Sequence, residues 1–521
     1  MRSRTTNARR FLIGLPAVAL LGAGCTLGES PPVPLSCAEL ASWTSDDVVI
    51  DHAEVVAASD PNPSHCKVAG TIDTEVHFEL LLPGHDTWNG RFVMGGGGGF
   101  VGSVQNHAMG PLEGGNALQR GFATVGTDTG HRGSGIDARW AHDNDEREVN
   151  FGSRAVHRTT EVAKALITDL YAREISHSYF IGCSRGGGQA MIEAQRFPDD
   201  YDGIVSMAPA IAWPQIGAAF LQNCQKVYPD ASDLATPVVT SENRALLERA
   251  ILKRCDGLDG VEDGVLNDPR GCDFDPAELS CAGAANADCL TAPQLDAITT
   301  IYSGPSVDGE PVYAGFPFGG ENDSGGWDTW ITGGDNAIAP GVPSLQWAFG
   351  TEMYKYLVFD DPGFDYVTYD FENWDADVAT ADERLSATDT DLSGLRESGG
   401  KLLFWQGWSD PALSALGMIE YYESVEAGDP GVRDYSRLFL APGVLHCAGG
   451  PGPDRVDLLS AVVDWVEEGV APEKLLASKV DAEGVTLMTR PLCPYPEVAV
   501  WDGTGDTNDA SSFRCQRPDA R

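Results

Sequence analysis

A chain of 521 residues is too long for one ordinary hydrophobic core, so a large domain carrying an inserted second domain is expected. Hydrophobic residues make up 42%, enough for real cores, which excludes a mainly disordered polypeptide. The 77 acidic and 35 basic residues leave a formal net charge of −42, an acidic surface that repels phosphate backbones and anionic membranes and excludes nucleic acid as a partner.

Arg2, Arg4, Arg9 and Arg10 form a basic start, and the run from Phe11 to Gly24 is apolar but too short to span a bilayer. Residues 1–25 therefore read as an export signal and residues 26–35 as a tether. LGAGC at 21–25 is similar to a bacterial lipoprotein cleavage site, with Cys25 as the lipidated residue. Gly22 stands where leucine is usual, so ordinary cleavage stays open, and the Arg9-Arg10 pair leaves the export route open as well. The expected location is periplasmic, extracellular or lipid-anchored at the cell surface, with Cys25 as the single membrane contact. Export permits disulfides. Without Cys25, eleven of the 12 cysteines remain, so one should be unpaired.

RFVMGGGGGF (91–100) reads as a strand running into a glycine loop, and GFATVGTDTGH (121–131) as a buried strand ending in polar residues. Apolar spacing predicts a helix over 153–173. SYFIGCS (178–184) is a strand, Gln189 to Phe197 a helix stopped by Pro198, and DGIVSMAPA (202–210) another buried strand. Strands alternating with helices imply a parallel sheet covered on both faces, an α/β fold. The alternation breaks over 213–395, which is rich in Trp, Gly, Asp and Pro. It resumes with strands at KLLFWQG (401–407) and SRLFLAPG (436–443) and an amphipathic helix at 456–469. Residues 36–212 and 396–521 are thus two parts of one core, and 213–395 is an inserted lid.

Gly182-Cys183-Ser184-Arg185-Gly186 fits G-x-S-x-G with a strand before it and a helix after it, the context in which such a turn presents a nucleophilic hydroxyl. A serine needs a base, and in α/β-hydrolase folds the order is Ser, then Asp or Glu, then His. Nine of the ten histidines precede Ser184, so His446 is the base that remains. Among many aspartates, Asp410 is the best placed acid: it follows the strand at 401–407 and precedes Pro411. Its role would be to hold the imidazole tautomer. If Ser184 and His446 meet, their neighbours Cys183 and Cys447 come close enough to bridge.

CDGLDGVEDGV (255–265) offers hard oxygen ligands from Asp256, Asp259 and Asp263, and its glycines let the backbone wrap so that the carbonyls of Val261 and Val265 also point inward. Such a set suits Ca²⁺, though the spacing is not that of an EF-hand.

WNGRFVMGGGGGFVG, GCSRGGGQ, APA, CDGLDGVEDGV, GWSDP and GVLHC together resemble the tannase and feruloyl esterase family over about residues 36–515. The resemblance implies an α/β-hydrolase core with an inserted lid and ester hydrolysis by Ser184, Asp410 and His446 through an acyl-enzyme. It implies an oxyanion hole made by the Arg185 backbone N–H and by a second donor from the 95–99 loop, with Gly98 favoured and Gly97 next. It implies structural Ca²⁺ in the lid loop and the pairs Cys37–Cys66, Cys255–Cys272, Cys281–Cys289 and Cys493–Cys515, leaving Cys224 free. Many relatives carry arginine where this chain has Gly188, and this chain has Arg185 directly after the serine. The expected substrate is a small aromatic ester (feruloyl, galloyl or hydroxybenzoyl), alone or attached to plant polysaccharide or polyphenol. Two alternatives stay open: a terephthalate half-ester hydrolase, which would want a lid cation such as Lys355 beside the acyl pocket, and a non-catalytic binder of phenolics or polysaccharide. Trp327, Trp330, Trp347, Tyr354 and Tyr356 give the lid aromatic surface, for packing or for a pocket.

Overall fold

The computed structural model describes residues 34–284, 286–334 and 338–518. The export segment, Cys25 and the tether up to residue 33 lie outside them. Ten strands form one sheet: β1 (Thr44–Ser45), β2 (Val48–Val56), β3 (His65–Ile72), β4 (Val76–Pro83), β5 (Arg91–Gly95), β6 (Ala123–Thr127), β7 (His177–Ser184), β8 (Gly203–Pro209), β9 (Lys401–Gly407) and β10 (Ser436–Ala441). Their order is β1-β2-β3-β4-β6-β5-β7-β8-β9-β10. From β1 to β6 neighbours pair antiparallel; from β6 to β10 they run parallel.

Alternation along the parallel strands feeds two cores. Phe180, Leu402, Phe404 and Leu438 point to the face covered by helices α1 (Ala155–Tyr171) and α2 (Arg185–Arg196); Tyr179, Ile181, Leu403, Trp405 and Phe439 point to the other, covered by helix Leu458–Glu468. A period of two in the backbone thus makes continuous apolar runs out of strands buried on both sides. Helix α1 ends at Ala172, whose left-handed φ of 48° breaks the ladder.

α2 begins at Arg185, four residues before the start expected from propensity. Its first turn holds Gly186, Gly187 and Gly188, poor helix formers that the packing requires: a Cβ at Gly188 would stand 2.3 Å from the Ala210 carbonyl oxygen.

No strand of the central sheet falls between 210 and 400 among the described residues. That stretch is mainly helical, with helices Trp213–Val227, Ser241–Cys255, Ala292–Ser303, Leu345–Met353 and Trp374–Leu385. Its core, including Phe220, Leu247, Ile298, Trp327 and Tyr354, also takes in Phe100, Trp140 and Phe151 from before it and Ala412 and Leu413 from after it. The inserted segment and the sheet domain therefore share apolar surface across both chain boundaries. Two antiparallel hairpins, Leu475–Val480 with Thr486–Leu492 and Val498–Trp501 with Phe513–Gln516, close the chain.

Candidate active site

Ser184 sits at the C-terminal end of β7 with φ 62° and ψ −123°, a left-handed conformation that a side chain adopts under constraint. The constraint is local. A Cβ at Gly182 would lie 2.4 Å from the Gly186 carbonyl, so the strand and α2 pack this closely because residue 182 has none. The Cys183 N–H donates to His107 Nδ1 at 3.1 Å. Burial, with repulsion from His446 as the lesser cause, pushes the His107 imidazole down to about 4, so at neutral pH it is an uncharged ring with Nδ1 free to accept. Nothing in the sequence separated His107 from the eight other histidines upstream of the serine.

Asp410 lies just past β9 and is 2% exposed. Its Oδ1 accepts from the N–H groups of Ala412 at 2.8 Å and Leu413 at 3.0 Å. Its Oδ2 accepts from His446 Nδ1 at 2.9 Å and from Gln406 Nε2 at 3.0 Å. A carboxylate can only accept, so Nδ1 carries the proton and the neutral ring offers its lone pair at Nε2. The Trp330 ring covers the imidazole edge-on, with centroids 4.8 Å apart at 74°.

Ser184 and His446 are brought together by their neighbours. Cys183 and Cys447 form a disulfide with Cα atoms 6.0 Å apart, linking the two loops across the lid. Among the described residues no hydrogen bond joins the Ser184 hydroxyl to the imidazole; such contacts commonly tighten only with substrate bound.

The glycine loop differs from expectation. The Gly98 N–H donates to Gln105 Oε1 at 2.7 Å and the Gly97 N–H to Gln189 Oε1 at 3.0 Å. Both amides are therefore engaged within the protein. Gly99, with φ 57°, lines the same pocket as Ser184 and Arg185. The Arg185 side chain turns inward, donating from Nη2 to the carbonyls of Phe151 and Gly152 with its guanidinium 4.4 Å from the Phe151 ring centroid. Its backbone N–H, at the start of α2, is left for the site.

Beside Ser184 opens a narrow pocket lined chiefly by Trp213, Ile216, Phe220, Trp330, Phe349 and Met353. Of the lid aromatics noted in the sequence, Trp330 lines it. Trp327 and Tyr354 are buried in the lid core instead, and Phe220 and Phe349 carried no signal that set them apart from packing residues. Lys355 is not among the lining residues.

In the lid loop, Asp256, Asp259 and Asp263 each accept one backbone N–H, from Gly264, Val261 and Val265 respectively, while Arg490 reaches Asp263 Oδ2 at 2.7 Å. Burial, then repulsion from Asp263 and Asp256, pushes the Asp259 carboxyl up to about 6. Gly260 and Gly264, at φ 90° and 77°, turn the backbone as the wrap requires. Asp256 and Asp259 each keep an oxygen beyond the backbone bond, whereas the second oxygen of Asp263 is taken by Arg490; hard carboxylate oxygens on one tight loop are donors of the kind that suits a divalent cation. Cysteines 37–66, 255–272, 281–289 and 493–515 are paired and Cys224 is a buried free thiol.

The family model described as "Tannase and feruloyl esterase" matches residues 61–516. An uncharacterized esterase of Xanthomonas campestris pv. campestris is 36% identical, the match covering 98% of this chain and 95% of that protein. A mono(2-hydroxyethyl) terephthalate hydrolase of Piscinibacter sakaiensis is 35% identical over 94% of this chain and 89% of that one. The solved structure of feruloyl esterase B from Aspergillus oryzae superposes with a TM-score of 0.81 at 26% identity, covering 92% of this chain and 99% of that one.

Proposed function

The chain belongs to the tannase and feruloyl esterase family and is a carboxylic ester hydrolase with an α/β-hydrolase fold; from that premise we propose that it cleaves esters of uncharged aromatic acids at Ser184 through an acyl-enzyme. Relatives named feruloyl esterase and mono(2-hydroxyethyl) terephthalate hydrolase support the aromatic acid. The observation that carries the choice of acid is the pocket: it opens on Ser184, its lid wall is aromatic and aliphatic with no lid lysine or arginine among the described residues, and the one cation on its lining, Arg185, is turned toward the Phe151 and Gly152 carbonyls. A feruloyl, galloyl or hydroxybenzoyl ring gains there by burial of its faces, whereas a second carboxylate would lose water and meet no cation from the lid.

In this reading the Ser184 hydroxyl attacks the ester carbonyl as His446 Nε2 takes its proton. The imidazolium so formed is held by Asp410, and it returns the proton to the leaving alcohol. The alkoxide-like oxygen of the tetrahedral intermediate is met by the N–H groups of Arg185 and Gly99, each donor contributing on the order of 10²–10³ in rate. A water then repeats the sequence on the acyl-enzyme. Ca²⁺ would be held by Asp256, Asp259 and Asp263 with the carbonyls of Val261 and Val265, where it neutralises the loop and fixes the lid. Five disulfides support an exported protein. No helix among the described residues is long and apolar enough to cross a membrane.

The test is turnover of methyl ferulate, methyl gallate and mono(2-hydroxyethyl) terephthalate by wild type and Ser184→Ala. Wild type should prefer a methyl ester and the variant should be inert on all three. Preference for the terephthalate half-ester would overturn the assignment of an uncharged acid, and an active variant would overturn the nucleophile.

A further inference from the structure

Gln406 is a buried amide in the middle of an apolar strand. It lies near the end of β9, between Trp405 and Gly407, and is 1% exposed. A polar side chain taken out of water costs about 1–3 kcal/mol if its hydrogen bonds go unmade, so the partners it finds reveal why it is tolerated. Nε2 donates to the Leu413 carbonyl at 3.1 Å and the Gly407 carbonyl at 3.3 Å, closing the turn that carries Asp410. Its third acceptor is Asp410 Oδ2 at 3.0 Å, the same oxygen that accepts from His446 Nδ1, so two hydrogens are shared among three acceptors and the long contact to Gly407 is the bifurcated one.

Asp410 is thus held by four donors, two on each oxygen, and three of the four do not belong to the imidazole. The two backbone N–H groups fix Oδ1. Rotation about the Cβ–Cγ bond moves both oxygens together, so a donor on Oδ2 adds to the two on Oδ1 in resisting it. The amide pins Oδ2 in the plane that the imidazole must meet. It also places a second donor on that oxygen, which disfavours passage of the imidazolium proton to the carboxylate and keeps Asp410 an anion while the ring is charged.

We infer that Gln406 is a positioning residue for the hydrolysis: it orients the Asp410 carboxylate so that His446 is held with Nε2 toward the serine. The inference rests on the Ser184–His446–Asp410 reading above. It belongs to the chemical step, so it should act on kcat and leave KM nearly unchanged.

Two variants and a cycle test it, with a p-nitrophenyl ester as substrate so that weak activity stays measurable. Gln406→Met keeps length and bulk without the amide. It should lower kcat about 10- to 100-fold, the size expected of a misplaced catalytic group, with KM within about threefold. In an Asp410→Ala background the same change should cost less than about twofold, because the carboxylate it serves is gone. Gln406→Glu supplies a signature that a merely structural role would not. Its carboxyl group can donate to Asp410 when protonated and repels it when ionised, so its kcat relative to wild type should be highest in acid and fall as pH rises. A Gln406→Met kcat within twofold of wild type would overturn the inference, as would an equal loss in both backgrounds or a Gln406→Glu profile parallel to that of wild type. In each of those cases a severely slowed but measurable Asp410→Ala leaves the triad reading standing. Full activity of Asp410→Ala would remove the triad reading and this inference together.

Discussion

Replacing Cys183 and Cys447 by alanine removes the single covalent tie between the nucleophile turn and the histidine loop. The bond closes a loop of 264 residues. The short bridges 255–272 and 281–289 lie inside it and shorten it little. Chain entropy for a loop of this size gives roughly 5–6 kcal/mol of stabilisation at 25 °C, with less where the unfolded chain keeps structure. The rate effect has a separate origin. His446 is still held by Asp410 and Trp330 in the variant, but its loop is no longer fixed relative to Ser184. A shift of about 1 Å there would cost roughly 10² in kcat. The double variant should therefore unfold several kcal/mol more easily in urea and turn over a p-nitrophenyl ester about a hundred times more slowly, with Ser184 still labelled, slowly, by a fluorophosphonate. Non-reducing peptide mapping of wild type should recover the 183–447 link, with Cys224 as the buried free thiol for comparison. Both thiols free in active protein, or a double variant with kcat within twofold of wild type, would refute the reasoning.

Ser184→Ala and His446→Ala should each bring ester turnover below detection with melting temperatures near that of wild type, and Asp410→Asn should cost about 10³–10⁴ in kcat because it presents the wrong partner to Nδ1; ester kinetics beside thermal unfolding check all three. Chelation with EGTA should lower the melting temperature and added Ca²⁺ restore it, since a cation bound only by the folded loop stabilises by mass action; an unchanged transition after verified metal removal would count against the site. His131 is 1% exposed, stacks on Trp140 and donates from Nε2 to the Phe100 carbonyl. Burial pushes its imidazole down to about 4, below the unfolded value of 6.5. The unfolded chain then binds the extra proton first, so this residue's contribution is whole above about pH 6.5 and lost as pH falls toward 4, by at most about 3 kcal/mol. Urea unfolding at pH 7.5 and pH 5 should show a smaller drop in His131→Gln than in wild type, and equal drops would refute the assignment.

Ser184 was legible because its signal is local: a buried strand, a glycine turn and a helix in twelve residues. His446 was legible by position, since the remaining histidines precede the serine, and Asp410 by the turn that Pro411 announces. The donors of the glycine loop were not legible. Five glycines in a row look alike in sequence, and what commits the amides of Gly97 and Gly98 is Gln189 and Gln105, side chains that only the fold brings near. Gln406 was hidden for a related reason: inside KLLFWQG it reads as a lapse in an apolar strand. The antiparallel strands β2 and β3 escaped notice because part of their surface faces water, so polar residues interrupt their apolar ones. Several lid helices were obscured by the Gly, Pro and Asp they contain, as in Trp213–Val227 and Trp374–Leu385, where tertiary packing overrides local preference.

β8 and β9 are hydrogen-bonded neighbours, Gly203 beside Lys401, yet the whole lid is synthesised between them. A nascent chain leaving the ribosome therefore exposes β8 as an unpaired sheet edge until the lid has emerged behind it. Such an edge is a template for pairing with other chains, and the longer the insertion, the longer that exposure lasts. On the proposed triad, a chain that stops anywhere before residue 446 carries the serine without its base. Under that proposal esterase activity would come only to a nearly complete polypeptide, and the final stretch of translation would serve as its own safety interlock.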